Sequence, residues 1–221
     1  MKTGILCHGR HVLANNWEYH QWGDKEKGLL GQILKTCLLA YQEQPDVIIF
    51  GTGASQKEGL KESEYTIKYM LDNIEEVSKF PQFQDIDINK LGAFMYCHSI
   101  PETKSQNTLE ELKQAMDIFS SYNINRMILV SNPDHISRCM QLAHQVYHDS
   151  KPHGLDQIFA AQSDICYDGS LNITSKIIEM PHRGDDPSPN LSKSIGNYFK
   201  LPLDKKKEFV GLVEDFFNAH K

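Results

Sequence analysis

No stretch of the 221 residues approaches the roughly 20 consecutive apolar positions that a membrane-spanning helix needs. The opening "MKTGILCHGR" has one lysine and an apolar run of only Ile5-Leu6-Cys7, too short for a signal peptide. Cysteine is scarce: the five residues Cys7, Cys37, Cys97, Cys139 and Cys166 are odd in number and include no C-x-x-C pair. A disulfide framework is therefore not expected, and a reducing cytoplasm is. Positive charge is short as well. Lys and Arg total 23 against 29 acidic residues, giving a net charge of −6. The densest basic run is Lys205-Lys206-Lys207. Neither nucleic acid nor an anionic membrane is an expected partner. G-x-G-x-x-G, the Walker P-loop and H-E-x-x-H are all missing. His144 and His148 stand four apart without the Glu of a zinc motif and read as surface residues. There is no internal repeat and no low-complexity tract.

What is present is core material, with 40% hydrophobic residues arranged in short runs between helical patterns. The runs 3–7, 46–50, 91–97, 126–130, 157–161 and 176–180 read as strands. Residues 26–43, 61–77, 108–122, 135–148 and 204–219 carry apolar positions at i, i+3, i+4 spacing and read as helices. Strands that are apolar throughout, alternating with helices, argue for a parallel sheet covered on both faces. The expected fold is α/β: a Rossmann-like three-layer sandwich with a mostly parallel sheet. Residues 1–180 would form this domain. Residues 181–221 would supply a proline-rich loop or lid (181–203) and a terminal helix packed on it.

In such folds the ligand crevice lies beyond the carboxyl ends of the strands. The segments expected there hold the candidate ligand-binding residues. "CHGRH" offers His8, Gly9 and Arg10: a tight turn with groups that meet an anion. "FGTGAS" offers Gly51, Thr52 and Gly53, with backbone N–H groups free to face a phosphate or ribose. "KSQNTLEEL" has Asn107 or Thr108 as an N-cap and Thr108-x-x-Glu111 as a capping box, with Ser105 and Asn107 beside the same edge. "PHRGDD" concentrates His182, Arg183, Asp185 and Asp186. Its paired Asp residues are candidates for a divalent metal or for acid–base work.

"ILVSNPDHISRC" is the most informative stretch. Asn132 suits an N-cap, Pro133 the first helical position and Asp134 the first turn, where the helix dipole favours a carboxylate. His135 and Arg138 have no such local explanation. At i and i+3 they share a helix face near its positive end, which disfavours imidazolium, so His135 suits a base and Arg138 an anion holder. They are the candidate catalytic pair.

Taken in order, "GTGAS", the Ser63-Glu64 pair, "SQNTLEE" and "VSNPDHISR" resemble the YdcF-like family. This is a broad bacterial family of unknown function that includes SanA- and ElyC-like proteins. Its pattern has a glycine-rich turn, a Ser-Glu pair, S-x-N-T-x-E-N, and a strand ending in a polar turn with His and, three residues on, Arg. Ser105, Asn107, Thr108 and Glu110 match the third element, and His135 and Arg138 the fourth, with Glu111 where the pattern has Asn. The resemblance spans roughly residues 3–165. It implies a Rossmann-like sheet and a polar pocket for a small anionic or nucleotide-like ligand, with S-adenosylmethionine as one candidate. It would add Glu64, Ser105, Asn107 and Glu110 as residues that orient the ligand.

The leading expectation is an enzyme, a transferase or hydrolase, acting on a nucleotide-like or phosphorylated substrate. Arg10, Arg138 and Arg183 would neutralise charge and His135 would act as base. The alternatives are a ligand sensor using the same pocket without a base, and a metal-dependent hydrolase built on "PHRGDD".

Overall fold

A computed structural model describes residues 1–150, 152–167 and 202–219. The chain divides into two compact units, Met1–Ile177 and Ile178–Lys221.

The first unit is built on a five-stranded parallel sheet. Its strands are β1 (Thr3–Cys7), β4 (Val47–Phe50), β7 (Ser99–Pro101), β8 (Arg126–Ser131) and β9 (Gln157–Gln162). Two short hairpins, β2 (Gly23–Asp24) with β3 (Leu29–Leu30) and β5 (Gln56–Lys57) with β6 (Leu60–Lys61), lie in the connections. The sheet order is β7-β4-β1-β8-β9. Counted in chain order this is 3-2-1-4-5, the order of a doubly wound sheet, so the chain reverses its winding between β1 and β8. The loops leaving those two strands part to opposite faces and leave a crevice between them. The α/β, Rossmann-like expectation holds.

Each central strand is buried along its length, and alternate side chains feed two cores. Ile5, Cys7, Ile48, Phe50, Ile128 and Val130 pack on one face against α2 (Gln32–Glu43), α3 (Glu62–Asp72) and α4 (Ile88–His98). Leu6, Val47, Ile49, Met127 and Leu129 pack on the other against α5 (Thr108–Ser121) and α6 (Ile136–Ser150). Burial of this kind, on both faces, is why these strands read as unbroken apolar runs. Gly4 serves the second core: a Cβ there would stand 2.4 Å from the ring of Phe119. α1 (Trp17–Gln21) and the β2–β3 hairpin fill the connection from β1 to α2.

Two expectations change. Residues 91–97 are not a strand but the body of α4, which Asp87 caps by accepting the Lys90 N–H at 3.1 Å. Leu91 and Met95, one turn apart, go into the core while Tyr96 is 73% exposed, a helical pattern that a seven-residue apolar run conceals. The third strand is instead Ser99-Ile100-Pro101, pairing with Ile48–Phe50. It is an edge strand, where a proline costs no ladder bond on the open side. In addition, Leu29 and Leu30 belong to β3, and α2 begins only at Gln32.

The second unit contains α7 (Leu203–Ala219), the expected terminal helix. The expected strand at 176–180 and the segment 181–201, with His182, Arg183, Asp185 and Asp186, lie outside the described residues. Among the described residues no helix is long and apolar enough to cross a membrane.

Candidate functional site at the β1–β8 switch point

β1 runs straight into the crevice. The His8 N–H donates to Val130 O at 2.9 Å, so the first residue past β1 is tied to the end of β8. The His8 imidazole is 1% exposed, and its Nδ1 lies 2.6 Å from Oε2 of Glu111, itself 2% exposed. The other oxygen of Glu111 accepts the Gly9 N–H at 2.9 Å. Glu111 reaches both from the first turn of α5 by crossing the β4 loop at Gly51, where a Cβ would stand 1.6 Å from Oε1. Gly51 is therefore a gap for Glu111. Its own N–H donates to Cys7 O at 3.1 Å and that of Gly53 to Ser105 O at 3.0 Å. The free backbone donors expected of this loop are thus committed within the fold.

Arg10 is the second group aimed at the crevice. It is 6% exposed, its guanidinium lies 4.0 Å from the centroid of the Tyr167 ring, and Nη2 donates to Tyr167 O at 3.1 Å. Nε and Nη1 are buried without a hydrogen-bond partner, as is Nε2 of His8. Burial lowers the Arg10 pKa against the raising influence of Tyr167, Asp134 and Glu62. Tyr167 is held in turn by Asp134, whose Oδ1 accepts the Tyr167 N–H at 2.6 Å.

From β8, Asn132 turns its side-chain amide to the loop after β9. Its Nδ2 donates to Ile165 O at 2.7 Å and Ser163 Oγ at 3.3 Å, fixing the loop after β9, while its carbonyl receives His135 N and Ile136 N. His135 and Arg138 are each 7% exposed, and the His135 ring stands 6.2 Å from that of His8 with the two planes at 86°. His135 is thus brought beside His8 at the crevice, while Arg138 is buried three residues further along the chain. Cys139 is fully buried one turn further along α6. Burial pushes its thiol up, but the charges of His135 and His8 outweigh this and bring it to about 6. Burial pushes His8 down, and the charges of Cys139 and Glu111, with the hydrogen bond to Glu111, carry it up to about 10.

The remaining candidates have structural duties. Glu64 accepts the Lys61 N–H at 2.8 Å at the start of α3. The buried carboxylate there is its neighbour Glu62, which accepts from the Ser55 hydroxyl and would lie 2.4 Å from a Cβ on Gly9. Ser105 donates its hydroxyl to Glu102, and its carbonyl takes the Thr52 hydroxyl at 3.0 Å. Asn107 is the N-cap of α5, accepting Glu110 N at 2.9 Å, with Thr108 as the first helical residue and Glu110 accepting Gln106 N at 2.9 Å. The cap is therefore Asn107 with Glu110, and not Thr108 with Glu111. His144 and His148 are exposed, as expected. Among the described residues no group of three or more His, Cys, Asp or Glu side chains is arranged to hold a metal ion.

Sequence reasoning missed Glu111, Glu62, Tyr167 and Cys139 as parts of the site. The available signal was the one acidic residue standing where the family pattern has Asn. Set against protein-family models, curated proteins and solved structures, the chain matches none of them.

Proposed function

We propose that this chain is an enzyme acting on a small phosphorylated or nucleotide-like ligand held between the carboxyl ends of β1 and β8. The observation that carries this reading is Arg10. A buried guanidinium with Nε and Nη1 unpartnered forgoes hydrogen bonds that water would supply, at a cost of about 1–3 kcal/mol or more for a charged group. Acceptor oxygens of an anion would recover it one bond at a time, at Nε and at Nη1 on different edges of the guanidinium, and Nε2 of His8 is a third buried nitrogen in the same condition. The location at the winding reversal is where doubly wound sheets hold ligands.

The chemistry follows from two histidines in different settings. His8, raised in pKa and anchored by Glu111, is a proton donor. His135, facing it across the crevice, is the base that takes a proton from water or an acceptor hydroxyl. Arg138 supports the same anion from α6. The ordered resemblance to the YdcF-like pattern supports this placement and keeps S-adenosylmethionine among the candidate ligands. Five free cysteines support a reducing, cytoplasmic setting.

The test is thermal unfolding of the full chain with inorganic phosphate, adenosine monophosphate and S-adenosylmethionine as probes. A probe at a hundred times its dissociation constant adds about 2.7 kcal/mol of stability, a visible shift in Tm. The expected result is a shift with at least one probe in the native chain and none in Arg10→Met. The absence of any shift, or a shift that survives Arg10→Met, overturns the reading.

A further inference from the structure

A cavity of about 460 Å³ opens between α1, β2 and the C-terminal end of α3, and shares no residue with the crevice. Its walls are aromatic. Trp22 and Tyr69 stand with ring centroids 5.6 Å apart and planes at 82°, and Tyr19 and Phe80 complete the lining. Two perpendicular planes form a corner in which one group can lie against both π faces. Each wall is held from behind. Tyr69 packs against Trp17, itself 4% exposed, with centroids 5.2 Å apart. Trp22 ends α1, where its N–H donates to Glu18 O at 2.7 Å and its carbonyl accepts the Gly31 N–H at 3.0 Å. The corner is therefore formed before any ligand arrives.

The same ring cluster already holds a cation at its other end. Lys57 places its ammonium 4.6 Å from the centroid of Tyr65, whose ring lies 6.4 Å from that of Tyr69. Among the described residues no lysine or arginine stands over Trp22 or Tyr69. Charge around the corner is mainly acidic: Glu18, Asp24, Glu26 and Glu76 line it against Lys25. Asp24 pairs with Lys27 and Glu76 with Lys79, which leaves Glu18 and Glu26 without an ion pair among the described residues. Burial and the charge of Glu18 push the Tyr69 phenol up to about 12, in keeping with a carboxylate close to this ring.

We propose that the Trp22–Tyr69 corner binds a small soluble quaternary ammonium ion, seated by cation–π contact with both rings and drawn in by Glu18 and Glu26. The two acids are exposed, at the rim of the cavity. A primary ammonium would give up strong hydration for carboxylates that stay in water. A trimethylammonium group is weakly hydrated, carries its charge over three methyls and offers apolar surface to the rings. The volume is that of a small-molecule pocket.

The experiment uses the full chain and follows the indole N–H signal of Trp22 by NMR. The chain has two tryptophans; that of Trp17 donates to Arg10 O at 3.1 Å, and a Trp22→Phe spectrum separates the two. The probes are choline, its neutral isostere 3,3-dimethyl-1-butanol, in which carbon replaces nitrogen, and glucose, another class of molecule that stacks on aromatic rings beside acids. The expected result is a saturable movement of the Trp22 signal with choline, at least about fivefold weaker binding of the isostere, and none of glucose. Tyr69→Leu should weaken choline roughly two- to fivefold, and Glu18→Gln, on an exposed residue, should weaken it without changing the unfolding midpoint. No saturable movement with choline overturns the proposal, as does equal affinity for the isostere, or movement with glucose instead. Binding to phosphatidylcholine vesicles or to a trimethyllysine peptide without binding to free choline overturns it too. If Tyr69→Leu does not fold, the comparison of choline with its isostere in the native chain decides alone.

Discussion

The carboxylate of Glu111 meets His8 at 2.6 Å by passing through the space that Gly51 leaves open. A buried acid, a buried imidazole and a glycine from three separate elements are thus one device, and each can be tested through the others.

Gly51→Ala places a methyl group 1.6 Å from the present position of Oε1, so the carboxylate must withdraw from His8. We expect a loss of roughly 1–3 kcal/mol in urea unfolding, together with a fall in the His8 midpoint seen by NMR. Unchanged stability and an unchanged His8 signal would show that Glu111 does not need this path.

Glu111→Gln keeps the shape and can still accept from Gly9, but leaves His8 as a buried cation without its counter-charge. Breaking a buried pair from one side costs about 3–5 kcal/mol. The double variant Glu111→Gln, His8→Gln removes both charges and should recover part of that loss. A double-mutant cycle with no coupling between the two sites would contradict the ion pair.

The pH dependence has an unusual sign structure. His8, raised from 6.5 to about 10, contributes stability that is full below 6.5 and lost as pH rises through 10. Cys139, lowered from 9.0 to about 6, contributes stability that is full above 9.0 and lost as pH falls through 6. Between 6.5 and 9.0 the unfolded pair holds one proton on sulfur and the folded pair holds one on nitrogen. No proton is exchanged with solvent, so the pair adds no slope to stability in that window. In Cys139→Ser only the His8 half survives, still supported by Glu111. The stability of this variant relative to the native chain should then decline as pH rises above about 6.5. Urea midpoints collected from pH 6 to 9 check this; parallel profiles would refute it.

Arg10→Met removes a buried cation that is only partly satisfied, keeping a long side chain over Tyr167. Stability without ligand should stay within about 1 kcal/mol of the native chain, while the phosphate-dependent gain in Tm disappears. A large loss of stability without ligand would instead mark Arg10 as a structural residue.

How much of this was readable beforehand depended on the range of the interactions. β1, β8 and α5 follow from local pattern alone: buried apolar runs and a capped amphipathic helix. His135 and Arg138 stood out because the helix start explained their neighbours and not them. α4 and β7 were misread because an apolar run of seven fits strand or helix, and a three-residue edge strand carries no periodicity. Glu111 was assigned to a cap because its spacing from Thr108 is that of a capping box. Only the fold shows that the cap is supplied one residue earlier, by Asn107 and Glu110, freeing Glu111 to turn inward. Glu64 stood ahead of Glu62 for another reason, that the Ser63-Glu64 pair matches the YdcF-like pattern. Which of two acids faces the interior is decided by the direction from which α3 meets β4.

The site joins parts of the chain that are far apart in sequence: His8 and Glu111 are 103 positions apart. β1, the central strand, gains its partner on one side from β4 and on the other only when Arg126–Ser131 arrives. Pairings of such separation make loop closure the slow part of folding. A chain still being synthesised carries Ile5 and Leu6 on an unpaired strand edge until β8 is made, which is when association with other chains is most probable. The crevice cannot exist in a half-made chain, so its appearance marks completed folding, and ligand-dependent protection would report on the finished molecule alone.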